Sequence, residues 1–115
     1  MVAKGTCYQD VWNELFKGNT TLPDITKMDK VEIVHGSVRG KEKARITHAW
    51  IEFTTGKYAF VWEPENKKVY AKSEFYDRHA ATKDYDLTPQ QYMKLSIKYK
   101  NYGPFSPKEL ITVKR

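Results

Sequence analysis

The sequence predicts an α+β fold: an N-terminal helix packed on a small antiparallel sheet, with a further helix toward the C-terminus. Three observations carry this. An apolar stripe at helical spacing opens the chain. Two aromatic, β-branched runs flank a glycine turn in the middle. A Thr-Pro helix start precedes a second helical stripe near the end.

Thr6 followed three residues later by Gln9 is a capping-box pattern. Tyr8, Val11, Trp12, Leu15 and Phe16 then recur at helical spacing, and Gly18 stops the pattern. The spacing predicts a helix from Cys7 to Lys17, with Cys7 in its first turn. A loop, GNTTLPDITKMD, follows. Val31 to Val38 reads as a strand broken at Gly36, and VRGKEKAR as a polar turn. Arg45 to Phe53 and Lys57 to Glu63 are strand-like runs around TTG, a hairpin signal. Pro64 ends the second run because it lacks a donor for the ladder. ENKK turns the chain, Val69 to Lys72 adds a strand, and Ser73 caps a short helix through EFYDRHAAT. Thr88-Pro89 places proline at the first position of a helix whose Tyr92, Leu95 and Tyr99 form a core stripe, ending near Asn101. Ser106-Pro107-Lys108-Glu109 either caps a final turn or leads into a strand, LITVKR.

The 115 residues fit one domain, residues 1–115, large enough to bury a core without staples. Hydrophobic residues at 40% and charged residues at 30% exclude a disordered chain. No apolar run is long enough to cross a bilayer, so no membrane partner is expected. MVAKGTC lacks the hydrophobic segment of a signal peptide, and a single cysteine makes no internal disulfide. Both features fit a reducing cytoplasm. A formal charge of +6 attracts anionic partners. The lysines are scattered (Lys41, Lys43, Lys67, Lys68, Lys94, Lys98, Lys100), which reads first as a solvated surface and second as a nucleic-acid face. His35, His48 and His79 show no paired-ligand spacing with Cys7, so neither a metal nor another cofactor is expected.

The chemistry-bearing residues converge on the hairpin. With a two-residue turn at Thr55-Gly56, or a four-residue loop from Thr54 to Lys57, Phe53 faces Tyr58, Ile51 faces Phe60 and His48 faces Glu63. A three-residue loop with Gly56 in a bulge instead sets His48 opposite Trp62. In the first register Ala49, Ile51, Phe53, Tyr58, Phe60 and Trp62 form the apolar face. Cys7 sits at a helix start, where the dipole and free amides favour a thiolate. Cys7, His48 and Glu63 thus offer a nucleophile, a base and a carboxylate that orients the base. The plainer reading of each alone is a small buried thiol, a hydrogen-bonded strand histidine and a strand-closing glutamate. Trp50 either walls a substrate groove or packs against the N-terminal helix, and His35 either lines the cleft or ends a strand.

A cysteine at a helix start, then HAWIEF, then YAFVWEP, resembles the transglutaminase-like branch of the papain-like cysteine proteins. The stretches VHG, SEFY and NYGPF also resemble small phage and prokaryotic proteins of this type. The resemblance implies a papain-like or transglutaminase-like core with Cys7 as nucleophile and His48 as base. Glu63-Pro64 stands where that family usually has Asp-Pro, one methylene shorter. The upstream glutamine of the papain oxyanion hole has no counterpart in the six residues before Cys7, which leaves Gln9, Asn13, Trp50 and His35 as oxyanion or groove candidates. The implied activity is that of a cysteine hydrolase or acyltransferase acting on an amide, isopeptide or ester bond of a peptide, protein or other substrate through a thioester. The competing expectation is a basic binding module without turnover.

Overall fold

The computed structural model describes residues 6–17, 24–40 and 44–114, with the Thr6 side chain outside them. The expected Thr6 cap, the first half of the GNTTLPDITKMD loop and the middle of the VRGKEKAR turn therefore lie outside the described residues. The elements are α1 (Thr6–Phe16), a 3-10 turn (Ile25–Lys27), β1 (Lys30–Arg39), β2 (Arg45–Thr55), β3 (Tyr58–Glu63), β4 (Lys68–Ala71), α2 (Lys72–Arg78), β5 (Thr82–Leu87), α3 (Pro89–Tyr99) and α4 (Pro107–Leu110). The strands form one antiparallel sheet in the order β4-β3-β2-β1-β5. The fold class is α+β.

Alternation along the strands divides the core into two layers. On one face Ile33, Ala49, Ile51, Phe53, Trp62 and Leu87 pack with Cys7, Tyr8 and Val11 of α1 and with Tyr92 and Leu95 of α3. On the other face Val34, Val38, Trp50 and Val61 pack with Phe75 of α2. Each fully buried side chain of this kind contributes roughly 1.5–3 kcal/mol relative to exposure. Tyr92 and Leu95 are buried and Tyr99 is partly so, which makes the expected α3 stripe a core stripe.

Local chemistry explains the element ends. Thr88 accepts from the Gln91 amide and the Gln91 side chain returns to the Thr88 amide, so α3 begins with a full capping box. Ser106 and Glu109 repeat the device at α4, which makes the final segment a helical turn. The short helix α2 starts instead at Lys72, after Ala71, with no side-chain cap; Ser73 lies inside it.

Three expectations are corrected. First, β1 is not broken at Gly36; it runs on, and the irregularity is a bulge in its pairing with β5. A Cβ at Gly36 would overlap the Thr82 carbonyl oxygen, so glycine is what lets β5 approach. Second, the hairpin turn is Gly56-Lys57, with Thr55 opposite Tyr58, Phe53 opposite Phe60 and Ile51 opposite Trp62. Gly56 has φ +58°, as the first position of a type II′ turn requires, and its amide donates to Asp29 Oδ2 at 2.7 Å. Tyr58 therefore sits at the hairpin tip, 60% exposed, rather than in the core. Third, β5 joins the sheet although TKDYDL carries no strong strand signal: at this edge only the last residue, Leu87, is fully buried.

Candidate active site

Glu63 has no directly paired residue in β2, but Trp62 stands opposite Ile51, so the ladder's next position sets Glu63 beside Trp50, two residues from His48. The shift from the expected register is two residues. A two-residue slip preserves faces, so His48 and Glu63 still share a side of the sheet as diagonal neighbours. Diagonal positions lie about 7–8 Å apart, a span that a long side chain bridges. His48 Nε2 and Glu63 Oε2 are 2.7 Å apart, both residues buried.

The Glu63 carboxylate is fixed by more than the histidine. Its Oε2 accepts from the Glu65 amide at 2.9 Å and its Oε1 from the Asn66 amide at 2.7 Å. It thus caps the turn after Pro64 while it holds the ring. Burial pushes its pKa up, but the hydrogen bonds from His48, Asn66 and Glu65 outweigh burial and hold it below the usual carboxylate value.

The ring's other polar neighbour is Cys7. Burial alone would depress the His48 pKa; hydrogen bonds with the Cys7 and Glu63 side chains, and the negative charge each can carry, overcome it and raise the value to about 9. With Nε2 engaged by Glu63, Nδ1 is the nitrogen left for sulfur.

Strand geometry explains how α1 reaches this ring. β3 ends at Glu63, so Arg45 to Ala49 pair with β1 but not with β3. The Tyr8 hydroxyl meets Thr47, and Cys7 meets His48. Consecutive strand residues point to opposite faces. A helix start that touches both therefore lies at the edge of β2, past the end of β3, where the two faces meet.

The other candidates are placed elsewhere. His35 is 1% exposed on the α1 and α3 face, opposite Ala49, inside β1 rather than at a strand end. The Tyr85 hydroxyl accepts from the Phe105 amide at 2.7 Å and shares a 2.6 Å hydrogen bond with His35 Nδ1. His35 Nε2 has no hydrogen-bond partner among the described residues, and the Tyr8 ring stands edge-on at 4.8 Å. Burial drives its pKa down to about 3, so the ring is a neutral core wedge. Trp50 is fully buried in the layer beneath α2: it packs on Phe75 and Tyr76 of α2 and donates Nε1 to Glu52 Oε2 at 3.0 Å. The sequence does not show which face α2 covers, and that choice buries Trp50. Gln9 is exposed on α1; two positions after Cys7, it points away from the sulfur's side of the helix. Asn13 is partly buried on α1, its Oδ1 without a hydrogen-bond partner among the described residues.

Sequence reasoning missed one polar cluster. Glu52 is buried beneath α2 and receives hydrogen bonds from Trp50 and Tyr76 and ion pairs from Lys72 at 3.3 Å and Lys83 at 3.6 Å. The HAWIEF stretch carries that glutamate on the histidine's face, the one signal that could have pointed to it. Among the described residues no group of three or more His, Cys, Asp or Glu side chains gathers as a metal site, and no helix is long and apolar enough to cross a membrane. A groove of about 450 Å³ lined by Met28, Phe53, Phe60 and Val69 opens near the hairpin tip and holds none of the candidate residues.

Sulfur, imidazole and carboxylate in this order can move a proton off a thiol and onto a leaving group. Comparison of the chain with protein-family models, with curated proteins and with solved structures finds no match.

Proposed function

We propose that the protein is a cysteine-dependent hydrolase or acyltransferase of papain-like or transglutaminase-like type, acting on an amide, isopeptide or ester. The supporting observation is the His48 ring held between the Cys7 side chain and the 2.7 Å Glu63 contact. In this reading Cys7 attacks the carbonyl carbon as a thiolate beside the imidazolium. The S–C bond forms, the C–N or C–O bond breaks, and His48 gives its proton to the departing amine or alcohol. Water or an acceptor amine then attacks the thioester, His48 takes its proton, and Cys7 leaves as the thiolate. Glu63 keeps the ring's Nε2 proton engaged and its orientation fixed. The first-turn amides of α1, including that of Cys7, supply the oxyanion donors. Cys7 is 6% exposed and His48 7%, so the site favours slender acyl groups over bulky ones.

The test is acylation by p-nitrophenyl acetate. A p-nitrophenol burst with an acetyl group on Cys7 by mass spectrometry is expected, absent in Cys7→Ser and His48→Ala. A folded wild type that takes up no acetyl on Cys7 would rule the reading out. The enclosure of the thiol favours the second reading, a basic binding module without turnover, in which Cys7→Ser changes nothing.

A further inference from the structure

Two arginines meet where no stability argument would place them. Arg39 and Arg45 are directly opposite on the last β1–β2 rung, both exposed. Like charges at directly opposed positions repel across about 4.5–5.5 Å between Cβ atoms. Neither guanidinium has a carboxylate partner among the described residues.

Both side chains are nevertheless held. Arg45 donates Nε to Ser37 Oγ at 3.1 Å, and Nη2 to Ser37 O at 3.1 Å, Ala80 O at 2.6 Å and Thr82 Oγ1 at 3.3 Å. Its Nη1 amino group has no partner among the described residues. Arg39 donates Nη2 to Arg78 O at 3.4 Å, and its backbone amide donates to His79 O at 2.8 Å. Three of the carbonyls used, those of Arg78, His79 and Ala80, belong to the end of α2 and the turn after it, whose negative pole partly offsets the two charges. The arrangement fixes two cations side by side; the acceptors that hold them among the described residues are neutral oxygens, which take up only part of their N–H groups.

We infer that Arg39 and Arg45 form a binding site for phosphate groups. A phosphate has oxygens enough to accept from two guanidinium groups at once, and preorganised arginines lose little freedom on binding it. The ligand source is either a nucleic-acid backbone, which the +6 charge of the chain favours, or a free phosphate. This site is independent of the thiol chemistry.

The experiment is fluorescence anisotropy of a labelled oligothymidylate over a salt series, with inorganic phosphate as the second probe, followed by arginine side-chain NMR shifts. For a nucleic-acid source, Arg39→Gln and Arg45→Gln each weaken oligonucleotide binding and reduce the salt slope by about 0.7 for each phosphate no longer neutralised. Cys7→Ser leaves both unchanged. For a free-phosphate source, inorganic phosphate shifts the Arg39 and Arg45 signals and the oligonucleotide does not bind. Arg39→Gln gives up one long hydrogen bond and carries the test if Arg45→Gln fails to fold. Oligonucleotide binding equal in wild type and Arg39→Gln, or no response to either probe, overturns the proposal.

Discussion

Glu63 reaches His48 on the diagonal of the ladder, not across it, and closes a 2.7 Å contact to Nε2. The extra methylene of glutamate over aspartate suits that longer span. The same carboxylate caps the turn after Pro64, so one side chain ends a strand and orients a ring. The plain and the functional readings of this residue describe a single arrangement.

Removing that charge lowers the His48 pKa. In the wild type the ring titrates at about 9. In Glu63→Gln the ring loses its carboxylate partner at 2.7 Å, so the midpoint moves down by about one unit or more. NMR titration of the His48 ring protons reads this directly; an unchanged midpoint would show that Glu63 does not govern the ring.

Stability is expected to peak near pH 6.5, because two histidines pull in opposite directions from that ordinary value. His48 is raised to about 9, so its contribution is complete below 6.5 and is lost as pH rises through 9. His35 is lowered to about 3: below 6.5 the unfolded chain binds a proton that the native core refuses, and stability falls as pH drops toward 3. Glu63, held below its usual value, adds to the acid loss as it is protonated. Each histidine contributes a slope on the order of 1 kcal/mol per pH unit in its window. Urea denaturation across pH measures the curve, and His48→Gln flattens its alkaline side.

Gly103→Ala is expected to destabilise by about 1–3 kcal/mol. Its φ is +100°, and a Cβ there would lie 2.5 Å from His35 Cε1, a ring with no room to retreat. The midpoint of urea unfolding should fall with an unchanged slope. Gly36→Ala is expected to cost at least as much, since its neighbour is the Thr82 backbone rather than a side chain.

Glu52→Ala is expected to cost about 1–3 kcal/mol, because it leaves Trp50 Nε1 and the Tyr76 hydroxyl without their acceptor beneath α2, while the Lys72 and Lys83 ammonium groups stay within reach of solvent. Thermal melting of the variant against wild type measures it, and a loss below about 1 kcal/mol would show that the cluster is solvated rather than buried.

The elements legible in the sequence were those with strong periodicity or strong punctuation. The α1 stripe, the aromatic hairpin runs and the Thr88-Pro89 and Ser106-Pro107 starts all match elements of the fold. The hairpin register was not legible, because TTGK allows several turns and only the Asp29 carboxylate, distant in sequence, pins Gly56. The strand β5 was hidden because an edge strand with polar residues and a bulge offers little alternation. Trp50 and His35 were misplaced for one reason: sequence shows that a strand residue faces a side, not which helix lands there. Cys7 and His48 were legible as chemistry, but their meeting depends on β3 stopping at Glu63, a fact of the fold.

The most direct measurement is the second-order rate of Cys7 alkylation by iodoacetamide as a function of pH, in the wild type and in His48→Ala. A thiol paired with the His48 imidazolium gives a wild-type rate that is already high and nearly level through neutral pH, while His48→Ala follows the titration of a free thiol near about 8.5. Identical free-thiol profiles in the two proteins, or a folded wild type whose Cys7 does not react at all, would contradict the account.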